Sequence, residues 1–582
     1  MRYIFHYLKP RISMVSLCLF FKVIGTIVEL AIPFVLQHIL HNVAPSNDLS
    51  MILLWGGVMI FCAVAALVFN IVGNRLASHV ARDGAREVRH DLFTKTMLLS
   101  CRDVDRFTIP SLESRLTTDT YNVHQFMGMM LRIGVRCPIL LVGGLLFTFI
   151  LDPILTLILL GIMPLIFLTV YLVTTKGIRA YLRAQRSVDG MVRVAREDCQ
   201  GIRVIKALSK SEYENARFDR ANGRLVKDET SASLIMATSN PVISFFVNLG
   251  MVMVILIGAL RTTMDLSSAA TIIAFMQFFM MISNAMIAIT RVFVNATKAV
   301  ASMNRIREVI ETAEDCPALS KTMYPDYVPA SGDVPHIRFD HVSFSYLSTT
   351  PQVDDLTFDL YRGQTLGIIG STGSGKTTII NLMMRFYDPD KGAVYLNGTD
   401  LRQMDGKAVH SRFGAAMQND FLYADTLAEN IRFGRDLTDE EIKKAASIAQ
   451  ADEFISGYPE GYEHMLVIKG QNVSGGQKQR LLVARAIAGN PEILILDDSS
   501  SALDYKTEAD LRSAIRNMES RPTTVIVAQR ISAIKDADLI LVVENGAVIG
   551  SGKHADLLEN CTVYREIADS QMGNGDGGDG CE

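Results

Sequence analysis

The chain has 582 residues, room for more than one domain, and its 49% apolar content and mean hydropathy of +0.23 suit a membrane half joined to a soluble half. A net charge of −4 supplies no basic surface for nucleic acid, so no nucleic-acid partner is expected. Eight scattered cysteines without a C-x-x-C pair argue against a metal cluster or a disulfide framework and fit a reduced, cytosolic compartment.

From the N-terminus, Arg2, Lys9 and Arg11 precede a first apolar stretch, about 12–40, too long for a cleavable signal peptide and without a small-residue cleavage site. Further apolar stretches cover about 51–72, 133–151, 154–174, 241–260 and 268–289. Each approaches or exceeds the ~20 residues that cross a bilayer, so six spans are expected. The loops after the first, third and fifth spans hold no basic residue except Arg261, whereas the N-terminus and the long segments 73–130 and 176–239 are rich in Lys and Arg. The positive-inside rule then places both termini and both long segments in the cytosol. Those segments carry a helical pattern with few breakers, so the spans should continue as helices beyond the membrane. Lys22 and Glu29, two turns apart on one helix face, and Arg136 at the start of the third span are intramembrane charges. They either line a cavity or pair with neighbouring helices.

Composition turns soluble from Thr297, with a helical linker over 298–314 and an irregular, proline-containing connection over 315–333. From His336 strands and helices alternate, an α/β pattern. The glycine-rich end reads as disordered. The expected division is a transmembrane domain at 1–296, a linker at 297–334, a soluble α/β domain at 335–570 and a tail at 571–582.

The soluble half turns on Gly370-Ser371-Thr372-Gly373-Ser374-Gly375-Lys376-Thr377-Thr378, which satisfies G-x-x-x-x-G-K-[ST] between an apolar strand and a helix. Backbone N–H groups of such a loop point at phosphate oxygens, where the helix N-terminus adds partial positive charge. Lys376 would reach the β- and γ-phosphates of ATP, and the Thr377 hydroxyl would ligate Mg²⁺. Ile493-Leu494-Ile495-Leu496-Asp497 is an apolar strand ending in the carboxylate expected to hold the same metal. Between the two lies Ser474-Gly475-Gly476-Gln477, a glycine pair opening a helix.

With these motifs in place the chain resembles, over nearly its whole length, a half-transporter of the ATP-binding cassette (ABC) exporter family, a six-span all-α membrane domain fused to an α/β P-loop nucleotide-binding domain. The resemblance implies that Ser474, Gly475, Gly476 and Gln477 close over ATP held by another subunit, so that one such domain per chain means a dimer. It also implies that Tyr346 stacks on adenine, that Gln418 contacts Mg²⁺, that Ser501–Asp504 runs across the dimer contact, and that 105–119 and 201–207 belong to or lead into the coupling regions. A bacterial inner-membrane location, contact with membrane lipids and a transported small molecule are family expectations, multidrug export first, with lipid or peptide export close behind. The same fold serves importers of metal-chelate complexes, and an ATP sensor would carry the same motifs.

Two departures stand out against the family pattern. Asp498 occupies the place of the usual catalytic glutamate, and Gln529 that of the histidine that contacts the γ-phosphate. Aspartate is one methylene shorter, and a misplacement of ~1 Å can cost ~10²-fold in rate. Glutamine cannot become cationic or transfer a proton at neutral pH. The segment 467–472 also lacks the family's interdomain-loop glutamate. The expectation is a degenerate site that binds ATP and hydrolyses it poorly, in a heterodimer whose other half supplies the competent site; a slow homodimer is the alternative. Methionines 127, 129, 130, 276, 280, 281 and 286 would suit a cavity for varied amphipathic molecules, or packing.

Overall fold

The computed structural model describes residues 2–46, 48–264, 266–313, 334–346, 350–418, 420–499 and 501–572. Two compact units emerge, one of residues 1–97 and 110–311, the other of residues 98–109 and 312–582.

The first unit contains six helices long and apolar enough to cross a membrane: Tyr3–Ser46, Leu49–Met97, Ile109–Leu151, Pro153–Gln200, Ser211–Thr263 and Ala269–Ile310. Each of the six expected spans lies within one of them or begins at its cap. At 1.5 Å per residue the 49-residue second helix is about 70 Å long, against about 30 Å of hydrocarbon, so the helices do run well past the apolar stretches. Phe61 is 73% exposed and Ile150 71%, side chains that lipid would cover. Toward the bundle interior, Leu155, Phe275, Phe279 and Ile282 close an apolar core.

The turn Asp152-Pro153 is held by its own chemistry. Asp152 Oδ1 accepts from the backbone N–H groups of Ile154 and Leu155 as an N-cap, and Oδ2 accepts from Arg261 Nε at 3.1 Å. The lone basic residue of the odd-numbered loops is thereby paired. Farther along the bundle, buried Asp119 accepts from Ser302 Oγ at 2.8 Å and from Arg305 Nε at 2.8 Å. The sixth helix continues without a breaker to Ile310, so residues 297–310 of the expected linker are its final turns. The proline-containing connection lies outside the described residues.

The second unit holds two sheets. β1 (Ile337–Phe344), β2 (Val353–Leu360), β4 (Lys391–Leu396) and β5 (Thr399–Asp400) form an antiparallel sheet ordered β2-β1-β4-β5. β3 (Thr365–Gly370), β6 (Phe413–Ala416), β7 (Ile493–Asp497), β8 (Thr523–Val527), β9 (Leu539–Glu544) and β10 (Ala547–Gly552) form the second, ordered β10-β9-β3-β8-β7-β6. Its pairs β3–β8, β7–β8, β6–β7 and β3–β9 are parallel. β7 is buried along its whole length, as strands covered on both faces must be. The final helix, Thr562–Met572, takes up Gln571 and Met572, which the disordered reading of 571–582 had included. Gln571 Oε1 accepts from Ile531 N at 2.8 Å, a tertiary bond that local composition does not announce. The rest of that tail lies outside the described residues.

Candidate functional site

Four adjacent parallel strands, β3-β8-β7-β6, end on the same edge, and the residue or two after each strand carry the polar groups. β3 runs into Gly370–Gly375, β8 into Ala528-Gln529, β7 into Asp497-Asp498 and β6 into Met417-Gln418. Residues more than a hundred apart in sequence therefore converge on the carboxyl edge of the sheet, where α/β folds bind ligands. They line a cavity of about 270 Å³ that includes Thr372, Gly373, Gly375, Lys376, Thr377, Thr378, Gln418, Asp497, Asp498 and Gln529. Gly370, Ser371 and Ser374 belong to the same loop without lining the cavity.

The loop is shaped for an anion. Gly375 has φ +104°, and a Cβ there would lie 2.4 Å from Gln352 O, so only glycine fits. Among the described residues, buried Ser374 Oγ has no hydrogen-bond partner. Lys376 Nζ donates to Gly370 O at 2.9 Å and to Ser371 O at 2.7 Å, both carbonyls of the loop itself. Burial lowers the Lys376 pKa, and Asp497 and Asp498 oppose that shift. The helix Lys376–Met383 begins at this loop and presents its N-terminal N–H groups. A hydroxyl with no partner among the described residues, a cradle that a Cβ would fill and a lysine bonded to loop carbonyls fit a nucleotide's phosphates.

The carboxylates divide by environment. Asp497 is 2% exposed and accepts from Thr377 Oγ1 at 3.4 Å; burial raises its pKa. A hydroxyl, a buried carboxylate and the nearby Gln418 amide are hard oxygen donors that fit Mg²⁺. Asp498 stands in the left-handed region at φ 50°, its N–H bonded to Val527 O at 2.9 Å. Its Oδ2 accepts from Gln418 Nε2 at 3.2 Å and from Gln529 Nε2 at 3.1 Å. Burial raises the Asp498 pKa, and the hydrogen bond from the Gln418 amide offsets only part of that rise.

Tyr346 lies outside the cavity lining. Its ring meets Phe344 and Tyr387 edge-on at centroid distances of 4.9 and 5.0 Å, and its hydroxyl accepts from Asn381 Nδ2 at 3.1 Å. Ser474 caps the helix Gly475–Ala488 in a reciprocal capping box with Gln477, and Ser474 and Gly475 are exposed. The four signature residues do not line the cavity.

Three neighbouring residues escaped the sequence reading. Gln352 places its carbonyl against Gly375, and its side chain accepts from Tyr346 N at 3.0 Å. Gln479 donates to Ser501 Oγ at 2.9 Å and accepts from Ala502 N at 3.0 Å, joining the signature helix to the 501–504 loop. Tyr387 donates to Asp105 Oδ2 at 2.6 Å within the second unit. Gln479 follows the Ser474–Gln477 run after Lys478 and its role alone was missed, whereas Gln352 and Tyr387 stand in no local motif; only the tertiary fold brings these pairs together.

In the first unit, Glu29 pairs with Arg136, and Lys22 Nζ donates to Asn70 Oδ1 at 3.2 Å. All three charges also line one cavity of about 940 Å³, so both sequence alternatives hold. Of the seven methionines, Met129 and Met281 line it.

Residues 15–286 match the family described as ABC transporter transmembrane region, and residues 353–501 match the ABC transporter family. Among curated proteins, the chain is 32% identical over 581 residues to the "Uncharacterized ABC transporter ATP-binding protein YfiB" of Bacillus subtilis, covering 99% of each chain. It is 30% identical to the "Putative ABC transporter ATP-binding protein exp8" of Streptococcus pneumoniae, covering 97% of this chain and 96% of that one. Among solved structures, a bacterial Atm1-family ABC exporter with ATP bound superposes with a TM-score of 0.83 at 22% identity, over 98% of this chain and 99% of that one. That last likeness is one of fold.

Proposed function

Because this chain belongs to the ABC transporters, as an exporter-type half-transporter and multi-pass membrane protein whose cassette domain implies ATP-driven transport, we propose that it supplies the degenerate site of a heterodimeric exporter of small amphipathic or hydrophobic molecules. The observation that carries this reading is the double tether on Asp498 Oδ2. A carboxylate one methylene short, with that oxygen engaged by two amides, is poorly placed to orient an attacking water.

In this reading the 370–378 loop and Lys376 hold the phosphates of ATP, and Tyr346 swings from its edge-on packing to stack on the adenine. Thr377, Gln418 and Asp497 hold Mg²⁺, which would neutralise phosphate charge. Ser474–Gln477, outside this chain's own cavity and with Ser474 and Gly475 exposed, close over ATP on the partner half, where hydrolysis mainly occurs. Closure of the two cassettes moves the spanning helices, and hydrolysis in the partner's site resets them. The cassettes and both termini face the cytosol, and the membrane is a bacterial inner membrane.

The test is ATPase activity of membranes carrying this chain alone and with a second half-transporter encoded beside it. Negligible activity alone and robust activity together is the expected result. Robust activity from this chain alone overturns the degenerate-site assignment and leaves a homodimer. Vesicle uptake in parallel separates a transporter from an ATP sensor and an exporter from an importer.

A further inference from the structure

The 940 Å³ cavity among the spanning helices has a marked charge imbalance. Lys22, Arg132, Arg136 and Arg291 line it against a single acid, Glu29. Glu29 is used up on Arg136, accepting from its Nε at 3.2 Å and from its Nη2. Among the described residues Lys22, Arg132 and Arg291 form no ion pair. Lys22 is 2% exposed, and its ammonium, with three protons to donate, makes one hydrogen bond among the described residues, to Asn70 Oδ1. Arg132 donates its Nε to Gly128 O at 3.0 Å within its own helix.

The surrounding backbone makes room for these cations. A Cβ at Gly73 would lie 3.0 Å from Lys22 Cγ, so the second helix offers a bare glycine along the lysine stem. Arg132 sits in a π-helical turn, Met130–Gly134, a local widening that recurs at functional sites. Cations held in an apolar bundle without counter-ions are costly, which is why intramembrane charges mark ligand or ion pathways. The remaining walls include Leu140 and Met281, apolar surface for a hydrocarbon or aromatic body.

We propose that this cavity binds amphipathic organic anions, the carboxylate, sulfonate or phosphate head meeting Lys22, Arg132 and Arg291 and the apolar body meeting Leu140 and Met281. The assignment rests on the transport reading above and narrows its substrate class. Glu29 acts as an internal stand-in for the anion, neutralising Arg136. The same head group can belong to a soluble molecule or to an acidic phospholipid.

The test uses the full-length chain with whichever second half supports ATPase activity, in proteoliposomes, and two xanthene dyes of opposite charge, carboxyfluorescein and rhodamine 123. Fluorescence anisotropy reads binding and ATP-dependent uptake reads transport. Preferential binding and uptake of carboxyfluorescein is expected, with Lys22→Gln and Arg132→Gln each weakening its binding about tenfold and Arg132→Lys retaining most of it. Glu29→Gln frees Arg136 and tightens carboxyfluorescein binding a few-fold, a gain that a merely structural role for the pair would not produce. A preference for rhodamine 123, or equal loss of both dyes in Lys22→Gln and Arg132→Gln, overturns the anionic assignment and leaves the transport reading standing. Movement of neither dye, with no ATP-dependent translocation of fluorescent phosphatidylglycerol, overturns both. Translocation of phosphatidylglycerol over phosphatidylcholine, with carboxyfluorescein excluded, assigns the head group to a lipid.

Discussion

Gln529 donates its side-chain amide to Asp498 Oδ2 at 3.1 Å, so the two positions that depart from the family pattern are bonded to each other. Gln418 donates to the same oxygen from the other side, at 3.2 Å. Restoring one residue alone leaves its partner mismatched, so the pair should be changed together. Asp498→Glu with Gln529→His is expected to raise this site's hydrolysis by about 10²-fold, more than either single change. Single-turnover ATPase in a complex whose partner lysine has been removed from its phosphate loop measures this site alone. An unchanged rate in the double variant means that Asp498 and Gln529 do not limit it.

A second prediction concerns the signature. Ser474→Ala would remove the helix cap, at a cost of about 1 kcal/mol, and confuse stability with function. Ser474→Asp keeps the cap and places a negative charge where the partner's γ-phosphate would arrive. It should lower the complex's ATPase by at least about tenfold, whereas Asp498→Ala should lower it less than twofold. Equal losses from both would rule out unequal sites.

Asp497 lends itself to a stability measurement. Burial raises its pKa, so the folded chain binds that proton more tightly than the unfolded chain does. Stability from this group is full below the ordinary carboxylate pKa of about 3.9 and is lost as pH rises through the raised value. Above that raised value the ionised, buried carboxylate is a net burden on the nucleotide-free protein. Asp497→Asn should therefore melt about 2–4 °C higher without ligand while losing the further rise that Mg²⁺ and ATP give the parent. A lower melting point for the ligand-free variant would contradict this account.

His336 should act in the opposite direction. It is 1% exposed, its Nδ1 lies 2.7 Å from Thr523 Oγ1, and burial pushes its pKa down to about 4. The unfolded chain takes up this proton near pH 6.5, the folded chain only near 4. Between those values the unfolded state binds more protons, so stability is full above about 6.5 and falls as pH drops toward 4. His336→Gln, which can keep the Thr523 bond, should flatten the melting-temperature loss between pH 7.5 and 5 by about 2–4 °C. Parallel curves for parent and variant would show that His336 does not carry this dependence.

Much of the architecture was legible because its signals are local. A run of some twenty apolar residues, or a strand–glycine loop–helix with Lys376 and Thr377, advertises itself over a short window. Gln352, and the contact of Gln479 with the 501–504 loop, were invisible for the converse reason, since each matters through a partner that loop geometry brings close. The continuation of the sixth helix to Ile310 was readable as helix but not as the same helix, because composition changes at the membrane edge while the backbone does not.

The sequence by itself determined that this chain has six stretches long and apolar enough to cross a membrane and carries a phosphate-binding loop between a strand and a helix, since each follows from residue type and spacing; the place of Asp498 and Gln529 in the family pattern follows from the resemblance. Tertiary structure alone decided that Asp498 and Gln529 touch, that Glu29 is spent on Arg136, and that Lys22 and Arg132 line the same cavity with no ion pair of their own among the described residues. Those facts depend on which strand ends and helix faces become neighbours, and long-range packing settles that where local propensity has no say.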